Sequence, residues 1–451
     1  MRETFGNMFA VIMAMAGSAI GLGNIWRFPY LVGEGGGAAF IIVYLGAMLL
    51  LSIPILLSET IIGRKTRSGT FGAMCRLVPG SSWKWLGLLT VLTPLIIVSY
   101  YSVVGGWGIE YLFKACTLSF SRAPTESIGS MFTDFSTSGW GPLVCHTIFL
   151  ALTCLIVLGG VKKGIEKFAT WSMPVLFLLI IIIMVYALSL PGSWKGVEYM
   201  VKPDFSKLDG RAIASAMGQS FFSLSLGTGS ILTYASYVKK EDNILTSGIG
   251  TAMFDLLFAL IAGFAVMPAV FAAGIEPGTG PGLVFETLPY IFAKMGAGSP
   301  VLSAAVSIMF FVAILVAALT SSISMIEVGT AYLVEEKSFS RRKAVAVLFA
   351  GTWLLGAVCA LSFVPASGLQ IAGSTLFECC DKLTSNYMMA FGGLLFTAVV
   401  GWKMSKRDVW DEFTNGGTLR RNGRVFPVLY FLVRYFTPVG IVFIFITNFL
   451  I

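Results

Sequence analysis

Charge is scarce in this sequence and histidine nearly absent: Asp, Glu, Lys and Arg make up 12% of the 451 residues, and His146 is the only histidine. A single histidine weighs against histidine-built metal centres and Ser–His–Asp chemistry. The seven cysteines are an odd number in no metal-ligand spacing, so a complete disulfide framework is excluded. Cys116 and Cys145, which flank one loop, remain a candidate pair. A cleavable leader is not expected, because Met1–Glu3 carries one basic residue and the apolar run that follows has no small-residue cleavage site before Arg27. What abounds instead is apolar sequence. Hydrophobic residues are 56% of the chain, in recurring runs of about 20 residues, the length that crosses a bilayer.

Apolar runs set against charged gaps place spans near 7–30, 36–62, 86–113, 141–160, 168–190, 212–237, 244–273, 299–333, 344–365, 371–402 and 426–450, eleven in all. Alternate gaps, beginning with the N-terminus, hold 21 basic residues and the opposite gaps hold eight, with Arg27 and Arg434 inside spans. The positive-inside rule then puts the N-terminus in the cytoplasm and the C-terminus outside a cell membrane. This bias accounts for the net charge of +8 through anionic headgroups, and no nucleic-acid partner is expected.

Two spans are interrupted. "GSAIGLGNIWRFPY" (17–30) packs three glycines, Asn24, Arg27 and Pro29 into fourteen positions, and "GQSFFSLSLGTGSILTYASY" (218–237) repeats the pattern around Gly227 and Gly229. Gly23 and Gly227 are 204 positions apart, and five spans separate the start of one pattern from the start of the other. The chain is therefore read as a single all-α membrane domain over 1–451. Its two five-span repeats, 7–190 and 212–402, insert with opposite orientation, because an odd number of spans inverts the second copy, and 426–450 is an additional span. Irregular backbone at membrane depth survives only where protein covers it or it lines a cavity. Freed N–H groups attract an anion and freed carbonyls a cation, which suits a carboxylate substrate and a small cation. The alternative is that the glycines serve only close helix packing.

Five stretches resemble the neurotransmitter:sodium symporter family, in its bacterial eleven-span amino-acid branch: "GSAIGLGNIWRFPYLVGEGGGAAF" (17–40), "SYYSVVGGW" (99–107), "SFFSLSLGTGSILTYASY" (220–237), "GTGPGLVFETLP" (278–289) and "ALTSSIS" (318–324). The resemblance runs over essentially the whole chain. It implies a first sodium site from the carbonyl of Ala19, the side chain of Asn24, Ser223, Asp255 and the substrate's carboxylate. A second would use the carbonyls of Gly17, Ile20 and Ala317 with the hydroxyls of Thr320 and Ser321. All are hard oxygen ligands, as a small cation requires; Thr320 and Ser321 also fit simple bonds back to helix carbonyls. Asp255 stands where many relatives carry asparagine and balance charge with chloride or with a carboxylate one turn on, where this chain has Ala259. An ionised Asp255 supplies that charge itself, so no chloride is expected.

The resemblance further implies that Gly21, in place of the aspartate of monoamine carriers, leaves room for an amino acid. Its carboxylate would meet the N–H groups of Leu22 and Gly23 and the hydroxyl of Tyr101; its amine would meet the carbonyls of Ala19, Phe222 and Ser225. Ser18, Ile97, Tyr101, Phe222, Ser225, Thr228, Ser321 and Met325 would line a mostly apolar side-chain pocket, which favours a hydrophobic or aromatic substrate. Tyr101 also fits a helix-bridging core role. Arg27 would close the outer gate with an acid of the tenth span, Asp381 before Glu378. Arg2 with Glu335, beside Tyr237, would close the inner one. Glu59 is expected to accept N–H groups freed at the first break. The function expected is sodium-coupled symport of a neutral hydrophobic or aromatic L-amino acid by alternating access, with membrane lipid and the amino acid as partners, two sodium ions, and no enzymatic activity or obligate protein partner. A sodium-dependent amino-acid sensor on the same scaffold is the alternative.

Overall fold

In hydrocarbon every backbone N–H and C=O needs an internal partner, so an apolar chain of this length has to be helical. The computed structural model describes residues 3–122, 127–274, 284–296, 299–371 and 373–450. Helices α1 (Met8–Ala19) and α2 (Gly23–Glu34) form one pair bent by 61°. They are followed by α3 (Ala38–Thr66), α4 (Trp83–Cys116), α5 (Trp140–Leu158) and α6 (Val161–Ser189). Two short helices, α7 (Gly210–Ser223) and α8 (Ser230–Ala235), come next. The chain then runs through α9 (Ile244–Ala272), α10 (Pro300–Lys337), α11 (Arg341–Leu361), α12 (Leu376–Lys403) and α13 (Arg420–Thr447). Among the described residues nine helices are long and apolar enough to cross a membrane, ten if the bent pair is one span.

The expected spans find helices at matching places, with edges moved by a few residues. The segment expected at 212–237 departs from a plain span: α7 has 14 residues and α8 six, with non-helical backbone between, so neither reaches across a bilayer alone. Helix starts carry the expected caps. Asn7, Asp209, Asn243 and Ser340 each accept a backbone N–H of the first turn. Thr375 and Glu378 form a reciprocal capping box at the start of α12, so the Glu378 carboxylate is engaged at the helix end. The only strands among the described residues are Gln370–Ile371 and Ser374–Thr375, a tight antiparallel pair before α12. Each of the seven cysteines is a free thiol, Cys116 exposed and Cys145 buried, so this candidate pair is not bridged.

The broken segments lie inside the bundle. α1 packs against α9, α10 and α6, and α8 against α3 and α10. The second break is seated on α12 by backbone alone: Gly227 has φ +77°, and a Cβ there would fall on the Met389 carbonyl, while a Cβ on Gly392 would fall on the Gly227 carbonyl. Left-handed backbone costs a non-glycine residue about 1–2 kcal/mol before any clash is counted. Gly227→Ala is therefore expected to lower stability by at least about 2 kcal/mol, read as a fall in the thermal midpoint of the detergent-purified chain. A midpoint equal to that of the unsubstituted chain would contradict the seating.

Candidate functional site

At the first break α1 ends at Ile20, whose extended backbone (φ −69°, ψ 105°) turns the chain out of the helix. Its orphaned groups find partners on other elements. The Ser321 hydroxyl of α10 donates to the carbonyls of Ile20 at 3.2 Å and Gly17 at 3.5 Å, and the Leu22 N–H donates to the Tyr101 hydroxyl of α4 at 3.1 Å. Thr320 donates to the carbonyl of Ala317 at 2.9 Å. The five groups expected at the second sodium site thus share one neighbourhood, with the two hydroxyls already on the three carbonyls. The same oxygens can ligate a cation once the hydroxyl hydrogens rotate away.

The second break is held by an acid. Glu59 of α3, fully buried, accepts the Gly227 N–H at 2.7 Å and the Leu232 N–H at 3.3 Å. This corrects the expectation that Glu59 serves the first break. α3 runs beside α8, so the carboxylate meets the free N-terminal end of α8, where backbone N–H groups and the helix dipole both favour negative charge. The two breaks are tied to each other by Ser225, whose hydroxyl donates to the Ser18 carbonyl at 2.9 Å.

Asn24, Ser223 and Asp255 converge from α2, α7 and α9. The Ser223 hydroxyl donates to Asp255 Oδ2 at 2.7 Å, and Asn24 Nδ2 donates to Asp255 Oδ1 at 2.7 Å. Asn24 Oδ1 accepts the Gly21 N–H at 3.3 Å. The donor set is hard oxygen throughout and carries one carboxylate, as a small cation needs. Asn24 presents its nitrogen to Asp255 in this arrangement; a half-turn of the amide exchanges it for oxygen.

Between the breaks lies a cavity of about 30 Å³, room for a water or two. Ala19, Gly21, Leu22, Gly23, Asn24, Ile97, Tyr101, Phe222, Ser223, Ser225, Thr228, Ser321 and Met325 line it, together with Met389 of α12. Ser18 departs from the expected lining: its hydroxyl donates to Ser324 at 2.8 Å, because α1 turns that face onto α10. Leu22, Gly23, Tyr101 and Phe222 also wall a second cavity of about 200 Å³, which Arg27 and Asp381 line farther out. Tyr101 and Phe222 therefore form the partition between the two.

The expected Arg27–Asp381 pair is not closed. Arg27 lies over the Phe222 ring, 4.9 Å from its centroid, and Asp381 accepts hydroxyls from Tyr100 at 3.1 Å and Ser385 at 2.9 Å. Each charge has a competing local partner, and an open cavity lies between them. Asp381 rather than Glu378 faces this cavity, since Glu378 is held in its cap.

The face that carries the N-terminus is sealed. Arg2 lies outside the described residues; Glu335 accepts the Gly69 N–H at 3.0 Å and the Ser68 hydroxyl at 3.2 Å. The stronger closure is one that the sequence reading missed. Glu327 of α10, with a fully buried side chain, pairs with Arg341 of α11 at 2.5 Å and accepts the Tyr237 hydroxyl at 2.7 Å. Phe5 is fully buried edge-on to Tyr234 and Tyr237, at 5.9 and 6.1 Å. In the sequence Arg341 is one basic residue among several in a gap between spans, yet an acid such as Glu327 in mid-helix within "SSISMIEVGTAYL" is itself a signal of a buried partner. Met389 gave no such signal, being one apolar residue in an apolar helix.

The model of the sodium:neurotransmitter symporter family matches residues 2–127 and 118–451. The chain belongs to this family. The transporter is 35% identical over 435 residues to an uncharacterized sodium-dependent transporter, YhdH, of Bacillus subtilis, covering 96% of this chain and 95% of that protein. It is 33% identical to an uncharacterized sodium-dependent transporter of Haemophilus influenzae, over 99% and 98% of the two chains. Among solved structures it is similar to MhsT in complex with L-phenylalanine, with TM-score 0.90 and 37% identity, over 99% of this chain and 100% of that one. With the family come multi-pass membrane insertion and sodium-dependent transport.

The seal on the N-terminal face generates a test. Glu327 is fully buried while the Arg341 side chain is 27% exposed, so Glu327→Gln breaks the pair at less than the cost of stranding a fully buried charge and should shift the transporter toward opening on that face. A cysteine placed at the buried Ala235, in a chain cleared of its native cysteines, is expected to react several-fold faster with a soluble maleimide in the Gln variant. Equal labelling rates would show that the pair does not hold this face shut.

Proposed function

We propose that the transporter imports a neutral hydrophobic or aromatic L-amino acid together with sodium, by alternating access between two five-span inverted repeats, 7–190 and 212–402, with the eleventh span beyond them. The observation that supports this most directly is the cavity at the junction of two broken helices, where carboxylate-binding N–H groups and cation-binding oxygens meet. The solved structure of MhsT with L-phenylalanine supports the substrate class. The N-terminal face, carrying the excess of basic residues, is read as cytoplasmic.

In this reading the substrate carboxylate sits by Gly21, Leu22 and Gly23, close to the Asn24–Ser223–Asp255 cluster, and completes the first sodium site there. Gly21 leaves that space because a Cβ would stand 2.7 Å from the Ser321 hydroxyl and 2.9 Å from that of Tyr101. A second sodium among Gly17, Ile20, Ala317, Thr320 and Ser321 replaces the hydroxyl bridges between α1 and α10, stiffening the first break. Arg27 then leaves Phe222 for Asp381 and closes the wider cavity. Opening of the Glu327–Arg341–Tyr237 seal releases the load inside, and a potential of about 100 mV adds roughly 2.3 kcal/mol per positive charge carried inward. No step calls for bond chemistry, so the protein is read as a carrier and not an enzyme.

Asp255 supplies the fixed negative charge of the first sodium site, and Ala259 one turn on adds none. In proteoliposomes with an inward sodium gradient, uptake of radiolabelled phenylalanine, tryptophan and leucine is expected, absent with potassium in place of sodium and unchanged when gluconate replaces chloride. Loss of uptake in gluconate would overturn the chloride-independent reading, and sodium-dependent binding without accumulation would move the protein to the sensor class. Thr228 lines the cavity beside Gly227 and Gly229. Thr228→Phe fills that volume and is expected to cut tryptophan uptake about tenfold more than alanine uptake; equal losses would place the substrate side chain elsewhere.

A further inference from the structure

We propose that Met389 sets the upper size limit for the substrate's side chain, so that α12, the helix bearing Asp381, also reads substrate bulk. The proposal rests on the amino-acid reading above. The cavity between the breaks measures about 30 Å³, against about 150 Å³ for a cavity that takes a benzene ring, so part of its wall must yield to an aromatic side chain. Ile97 is β-branched and stiff, and Thr228 is short and tied by its hydroxyl to the Ser225 carbonyl at 2.7 Å. The unbranched residues in the wall are Met325 and Met389, whose three side-chain torsions let them reshape.

Met389 differs from Met325 in where its backbone lies. It begins the α-helical stretch Met389–Ala398, directly after the wide, π-helical turn Leu383–Met388. Such single-turn bulges often mark functional sites; α12 carries a second at Val399–Lys403, but it is the first that adjoins the cavity-lining Met389. Its carbonyl abuts Gly227, so the residue is fixed to the second break through backbone while its side chain retains its torsions. Asp381 lies eight residues earlier on the same helix, about 12 Å along the axis, and lines the wider cavity. A side chain too large for Met389 to yield to would press on α12 and oppose the approach of Asp381 to Arg27.

The test is competitive sodium-driven uptake of tryptophan, phenylalanine and leucine by the full chain in proteoliposomes. Met389→Ala is expected to raise the tryptophan-to-leucine ratio about tenfold and Met389→Phe to lower it about tenfold, the scale of one or two methylenes in an apolar pocket. The neighbouring Met388→Ala is expected to leave the ratio unchanged. A variant that folds poorly lowers all three substrates in parallel and leaves the ratio alone, so the opposed shifts report the pocket. If both Met389 variants keep the ratio of the unsubstituted chain, or Met388→Ala moves it as far, the proposal is overturned while the amino-acid reading stands. An unsubstituted chain that accumulates none of the three overturns both.

Discussion

The structure depends on how the polar backbone is satisfied where two helices stop in the middle of a membrane protein. Each unpaired group would cost several kcal/mol in hydrocarbon, and the chain answers with side chains from distant elements. Glu59 takes two N–H groups at the second break, Tyr101 takes one at the first, and Ser321 reaches two carbonyls. On the function proposed above, ligands of the same chemistry take the places of the Tyr101 and Ser321 partners at the first break. A carboxylate competes for N–H groups, and a cation for oxygens. Binding and backbone satisfaction are one problem with interchangeable solutions.

That dependence explains the distribution of charge. A chain with so few charged residues buries Glu59, Asp255 and Glu327 completely, each against partners that leave it compensated. Glu59 is neutralised by amides and a helix end, Glu327 by Arg341 and Tyr237, and Asp255 by Asn24 and Ser223. Only the last is built from groups that a cation would improve. Arg27 and Asp381, in contrast, line one cavity without pairing, so one face is closed by an ion pair on a fully buried acid while the other stays open.

Much of this was legible in the sequence. Apolar runs located the helices, glycine and small polar residues located both breaks, and the cavity lining matches the expected set except for Ser18 and the addition of Met389. What escaped notice has a common cause. Glu59's partner, the Ser18 orientation and the Glu327–Arg341 pair all depend on how helices are rotated and crossed, which periodicity does not encode in a chain that is apolar on every side. Met389 was invisible for the same reason. The position of Arg341 in a basic gap concealed its role, because there one arginine looks like any other.

The contact between Gly227 and Gly392 also constrains how such a protein can diverge. Each glycine occupies space that would put a side chain into main-chain atoms of the other segment, so no exchange of side chains across the contact can make room for a larger residue at either position. Main chain does not retreat as a side chain does. The pair is a dead end for stepwise change, and Gly229, with φ +76°, is similarly confined. Of the triplet Gly227–Thr228–Gly229, only the middle residue is free to vary without rebuilding the backbone, so change within this stretch is confined to one cavity-facing side chain while the scaffold around it stands still.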